Sequence, residues 1–127
     1  MSNASEDFNQ GSDWFWKIIS SSEGRPERLR EIIQEMAKED IRRFQEEFVD
    51  LRAELMDEPF DLHAEDSIDA LEDVAGWVIS KGREMYRAVL ADPTLMPVDV
   101  EGKEAEILVG VAHQVYEERF SEPLDVF

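Results

Sequence analysis

The densest collection of reactive groups in this sequence lies between Arg52 and Lys81. That stretch has no lysine or arginine, yet it carries Glu54, Asp57, Glu58, Asp61, Glu65, Asp66, Asp69, Glu72 and Asp73. Carboxylates at this density set up a negative field, which speeds encounter with a basic partner and selects it by charge. Glu58, Asp61, Glu65, Asp66, Asp69 and Asp73 are the expected partner-binding residues. The competing reading is a solvated face that keeps the protein soluble. The same stretch also offers oxygen ligands for a hard cation. Asp61, His63 and Glu65 share one side if the chain is extended there, and Asp57, Asp66 or Asp69 can complete the set. The spacing fits neither a calcium-binding loop nor a His-Glu-x-x-His helix, so ordinary surface carboxylates remain the alternative.

Other candidates are smaller. His113 and Glu117 stand four apart on a predicted helix and face the same way, as an acid–base couple would if it lined a cleft. A local hydrogen bond on a helix surface is the alternative. Lys81, Arg83 and Arg87 form a basic cluster able to clamp an anion, or to pair with Glu84 and complement a helix dipole. Trp77, next to Gly76, suits a core position, or a stacking wall for a ligand. Ser67 and Ser80 lack the context of an activated nucleophile, and no glycine-rich phosphate loop is present. The chain has no cysteine, which excludes disulfides, thiol nucleophiles and thiolate metal sites. No cofactor is expected.

Composition narrows the function classes. Thirteen basic residues against 31 acidic ones give a formal charge of −18 over 127 residues. Nucleic acids and anionic membranes both attract basic surfaces, so neither is an expected partner. With 43% apolar residues a single buried core is expected rather than disorder. The opening Met1 to Asp7 is acidic and polar, unlike a secretory signal, and the longest uncharged runs are too short to span a bilayer. A soluble cytoplasmic protein is the expectation.

The elements that must position these groups are helices. Ser12 or Asp13 caps a helix from Trp14 to about Ser21, with Trp14, Phe15, Ile18 and Ile19 inward and Trp16 on the flank. Pro26 opens a second helix, in which Leu29, Ile32, Ile33 and Met36 recur at helical spacing. A third runs from about Lys38 to Leu55 and buries Ile41, Phe44, Phe48, Leu51 and Leu55. Its separation from the second, near Ala37, rests on a phase change in the apolar stripe, and one continuous helix is the alternative. Met56 to Asp66 breaks the pattern at Pro59 and reads as an irregular connection. The central helix starts at Ser67 with the stripe Ile68, Leu71, Val74, Ala75 and Val78, and Gly82 ends it. A fifth helix, Arg83 to Ala91, is stopped by Asp92-Pro93. The last, about Gly102 to Phe120, buries Ile107, Leu108, Val111, Val115 and Tyr116. No stretch alternates with the period of a strand.

Several segments resemble the bacterial DUF4240 family, a domain of unknown function. They are Trp14-Phe15-Trp16-Lys17-Ile18-Ile19, Leu29-Arg30-Glu31, Ile41-Arg42-Arg43-Phe44-Gln45 and, most specifically, Gly76-Trp77-Val78-Ile79-Ser80-Lys81-Gly82-Arg83-Glu84-Met85-Tyr86. The last runs on to Leu90-Ala91-Asp92-Pro93, and Ala112 to Glu118 is a fainter echo. Before the central helix the family carries glycines, a Ser-Asp-Asp-like turn and two phenylalanines. Here that run reads Ala64-Glu65-Asp66-Ser67-Ile68-Asp69-Ala70-Leu71. The resemblance implies a bacterial all-helical protein and supplies no activity.

The combined expectation is an all-α, compact bundle of about six helices over residues 13–120, with a lead-in at 1–12 and a tail at 121–127. Its expected role is that of a non-enzymatic acidic protein-binding module. The inhibitor or immunity type is the concrete form, docking on a basic partner surface such as a nuclease's nucleic-acid groove. The alternative is a small-molecule or divalent-metal-binding protein, or a small enzyme, whose pocket lies between Trp77 and the Asp61 to Asp69 segment and includes Arg83. A third is a regulatory module that normally works beside other domains.

Overall fold

Pro26 and Gly82 mark where two of the helices begin, and the rest of the architecture follows from apolar faces that must be covered. The computed structural model describes residues 12–56, 68–97, 108 and 110–126, with residues 68–70 described as backbone only. The chain is all-α: six α-helices, and no strand among the described residues. They are α1 (Asp13–Ser22), α2 (Pro26–Gln34), α3 (Lys38–Glu54), α4 (Ile68–Ser80), α5 (Arg83–Ala91) and α6 (Val111–Phe120), with a 3-10 turn at Pro93–Leu95. The expected break between α2 and α3 is present, with Ala37 extended at the head of α3.

The helices form a closed circuit. α1 packs on α2, α2 on α6, α6 on α3, α3 on α4 and α4 on α5. Trp16 of α1 and Tyr86 of α5 complete the ring, their centroids 5.5 Å apart. Inside it, Phe15 stacks on Phe44 at 4.9 Å and meets Phe48 edge-on at 6.0 Å, which ties α1 to the middle of α3. Aromatic pairs at such spacings add to the area they remove from water. Tyr86 donates from its hydroxyl to the Leu51 carbonyl oxygen (3.1 Å), joining α5 to the far end of α3. Burial, with a smaller contribution from the negative charge of Glu54, pushes the Tyr86 hydroxyl well above its usual range.

Two expectations are corrected. On α1 the buried residues are Phe15, Trp16 and Ile19, whereas Trp14 and Ile18 are half-buried. The inward face is set by the aromatic partners Phe44 and Tyr86, which a run of three consecutive aromatics could not reveal. The last helix begins at Val111 rather than near Gly102. Leu108 is not helical because its buried N–H donates to the Ser80 hydroxyl (2.9 Å), which draws the chain onto α4 before the helix starts. Residues 101–107, and the irregular connection at 57–66, lie outside the described residues.

The segment after α6 is fastened to the bundle. Leu124 is buried. Glu122 pairs with Lys38 and Asp125 with Arg42, each at 2.7 Å. Tyr116 donates to Glu122 (3.1 Å), and His113 Nε2 lies 2.7 Å from the Val126 carbonyl oxygen. The Lys38 and Tyr116 bonds hold the Glu122 carboxyl below its ordinary value, and Arg42 does the same for Asp125. Lys38 and Arg42 are raised in turn by the same pairs.

Candidate functional site

α3 has two faces of opposite character. Ile41, Phe44, Phe48 and Leu51 turn inward and are buried. Glu39, Arg43, Glu46, Asp50 and Glu54 lie along the outward side at helical spacing and are exposed. Arg43 does not neutralise this row evenly. Its Nε donates to Glu47 Oε2 (2.9 Å), and its guanidinium sits 4.2 Å from the Trp14 ring centre. Glu47 also holds Ser12, accepting from its hydroxyl at 2.8 Å and its N–H at 3.1 Å, while the Ser12 hydroxyl accepts from the Phe15 N–H and caps α1. Arg43 and Glu47 therefore form a local fastener for α1. Glu39, Glu46, Asp50 and Glu54 remain as a carboxylate ridge.

α4 packs beside α3 and shows exposed Glu72 and Asp73. Of the six acids expected to bind a partner, Asp73 is thus placed at the surface. Asp69 falls within α4 with its side chain outside the described residues, and Glu58, Asp61, Glu65 and Asp66 lie outside them altogether. Sequence reasoning overlooked Glu39, Glu46 and Asp50. The signal was available as the polar phase of the same α3 pattern that identified the core.

Several basic side chains meanwhile hold elements together. Besides Lys38, Arg42 and Arg43, Arg30 pairs with Glu118, and Arg119 donates to the Met36 carbonyl oxygen. Arg28 donates to the Ser21 carbonyl oxygen at 3.3 Å.

A cleft of about 630 Å³ opens between α1 and the turn from α4 into α5. Lys17, Lys81 and Arg83 line it with Asp13, Glu23 and Glu84, and Trp16 and Ile19 supply apolar wall. The turn is shaped by Gly82, whose φ of 110° and ψ of 174° suit glycine almost alone. It is anchored by buried Ser80, which donates to the Gly76 carbonyl oxygen (2.8 Å) while accepting from Leu108. Arg83 Nη1 donates to Asp13 Oδ1 at 2.6 Å. Two of the segments that carry the family resemblance, Trp14 to Ile19 and Gly76 to Tyr86, thus face each other across the cleft.

The remaining candidates separate. Trp77 is buried in the core beneath the Lys81 ammonium, 5.7 Å away, and the tryptophan lining the cleft is Trp16. Arg83 lines this cleft, which is not the pocket expected between Trp77 and the Asp61 to Asp69 segment; Arg87 is exposed further along α5 and is not among the lining residues. His113 is engaged with the carbonyl of Val126. Among the described residues no three His, Asp or Glu side chains come together as metal ligands, and the proposed ligands Asp57, Asp61, His63, Glu65 and Asp66 lie outside them. No described helix is long and apolar enough to cross a membrane.

The model of the DUF4240 family, described as a protein of unknown function, matches residues 11–118. No curated protein and no solved structure matches the chain. With most of its length covered, the chain belongs to the DUF4240 family.

Proposed function

We propose that this DUF4240 chain is a non-enzymatic, cytoplasmic binding module that docks a basic protein through its acidic surface. The observation that carries this reading is the α3 ridge of Glu39, Glu46, Asp50 and Glu54, exposed on a helix whose opposite face is wholly taken up by the core. Glu72 and Asp73 on the neighbouring helix extend the same sign of charge. Asp69 and the acids at Glu58, Asp61, Glu65 and Asp66 belong to the same docking set in sequence. Aligned carboxylates steer a positive surface and reject a negative one, with an effect that fades as salt screens it. An inhibitor or immunity-type role, covering a cationic groove such as that of a nuclease, is the concrete form.

The test is capture from lysate of the source cell at low salt, elution by a salt step and native mass spectrometry of the eluate. A stoichiometric partner with a basic surface, released at moderate salt, is the expected result. A partner that is acidic, or whose retention ignores salt, contradicts the reading.

A further inference from the structure

The cleft between α1 and the α4–α5 turn has something that the acidic ridge lacks: cations from separate parts of the chain converge there. Lys17 comes from α1, Lys81 from the turn and Arg83 from the first position of α5. In a chain of formal charge −18 this makes the cleft a locally neutral place, its three cations balanced by Asp13, Glu23 and Glu84. Asp13 faces Arg83 across the opening. Its carboxylate is 93% exposed, so the 2.6 Å pair is a weak one, shared with water and screened by salt. The pair also engages Arg83 incompletely. Asp13 takes a bond from Nη1, while the buried Nε of the same guanidinium has no hydrogen-bond partner among the described residues. A guanidinium holds a carboxylate or phosphate best through two parallel bonds, and here it has one.

We propose that this cleft binds a small molecule through an oxyanion head, carboxylate or phosphate, seated on Arg83 and flanked by Lys17 and Lys81. Asp13 is the internal carboxylate that the ligand displaces. Swinging off Asp13 frees the guanidinium to present a second N–H to the incoming head. The body of the ligand rests on Trp16 and Ile19, and the cleft volume of about 630 Å³ falls within the range of small-molecule sites. This site is independent of the α3 ridge, which would serve a basic macromolecule.

The experiment titrates inorganic phosphate and acetate, each against sodium chloride at equal ionic strength, into the full chain labelled with nitrogen-15. The readout is the amide shifts of Gly82, Arg83 and Glu84. A saturable response to either anion beyond that of chloride is expected, and the stronger of the two identifies the head group. Arg83→Gln should weaken it about tenfold or more, as expected for losing a charge-assisted hydrogen bond. Arg83→Lys should retain part of the affinity, since it keeps the charge without the fork. Asp13→Asn should tighten binding about two- to fivefold by removing an exposed competitor. Shifts no larger than those with chloride, an Arg83→Gln affinity equal to that of the parent chain, or an Asp13→Asn affinity that fails to rise would each overturn the proposal. Charge reversal on the α3 ridge should leave the response in place, which separates this site from the docking surface.

Discussion

α3 and α4 lie side by side in the bundle, yet they use their surfaces differently. α3 buries one face, through Ile41, Phe44, Phe48 and Leu51, and turns carboxylates to the solvent on the other. From Val74 to Ser80, α4 is buried on every side, Gly76 and Trp77 included. One helix is a wall with a free outer face, and the second half of the other is a post with none. Functional groups can therefore accumulate along α3 without cost to packing. Along α4 they are kept to the part before Val74, where Glu72 and Asp73 are exposed, and to the Lys81–Arg83 turn that follows it. A helix that is apolar all round belongs to the interior, whereas an amphipathic one carries a surface that selection can shape.

The sharpest way to break this contrast is to attack the inner face of the wall. Phe44→Ala removes a fully buried ring that stacks on Phe15, and should cost about 3–5 kcal/mol in chemical denaturation. Substituting Glu46 by Ala on the outer face should move stability by no more than about 0.5 kcal/mol. Next comes the end of the post. Ser80→Ala leaves the buried Leu108 N–H without its acceptor, and should cost about 1–3 kcal/mol in the same assay.

Gln45 tests the rule from the opposite direction. It is 1% exposed on α3, and neither its Oε1 nor its Nε2 has a hydrogen-bond partner among the described residues. Gln45→Met keeps the shape and deletes the stranded amide, so it should raise the unfolding free energy by about 1–3 kcal/mol. A drop would mean that the amide is satisfied in solution and that the inner face of α3 is less uniformly apolar than its other positions.

The smallest effect concerns the fastening of residues 122–126 to α3 and α6. The Glu122 and Asp125 carboxyls are held below their ordinary values by Lys38, Tyr116 and Arg42. Their contribution is therefore present above the unfolded carboxylate range and is lost as the pH falls through the lowered folded values. Protection factors at Leu124 and Asp125, with the intrinsic slowing of exchange at low pH divided out, should fall on acidification before those of the helices do. Uniform protection down to global acid unfolding would show that buried Leu124 holds the segment by itself.

Much of the fold was legible because each helix carries its own punctuation. Pro26 and Asp92-Pro93 marked boundaries that the structure keeps, and the apolar stripe of α3 named its core residues. Three features were not legible, each because the deciding partner is distant in sequence. Trp16 is drawn inward by Tyr86, and Leu108 is held out of a helix by Ser80. Leu124 and its charged neighbours look like a free tail until Lys38, Arg42 and His113 are brought beside them. For the candidate sites, charge counting pointed to the 54–73 stretch and passed over Glu39, Glu46 and Asp50, whose density is high only along one helix face. The cleft was not legible: the expected pocket was set between Trp77 and the Asp61 to Asp69 segment, whereas this one takes its opposing wall, Trp16 included, from α1.

The most direct test of the docking surface is to repeat the low-salt capture with the chain carrying Glu46→Lys, Asp50→Lys and Glu54→Lys together, while recording its unfolding free energy. The expected result is stability within about 1 kcal/mol of the parent chain, as for surface positions, and loss of the basic partner at salt concentrations where the parent retains it. Undiminished capture by a folded triple variant would contradict the assignment of the α3 ridge as the binding face.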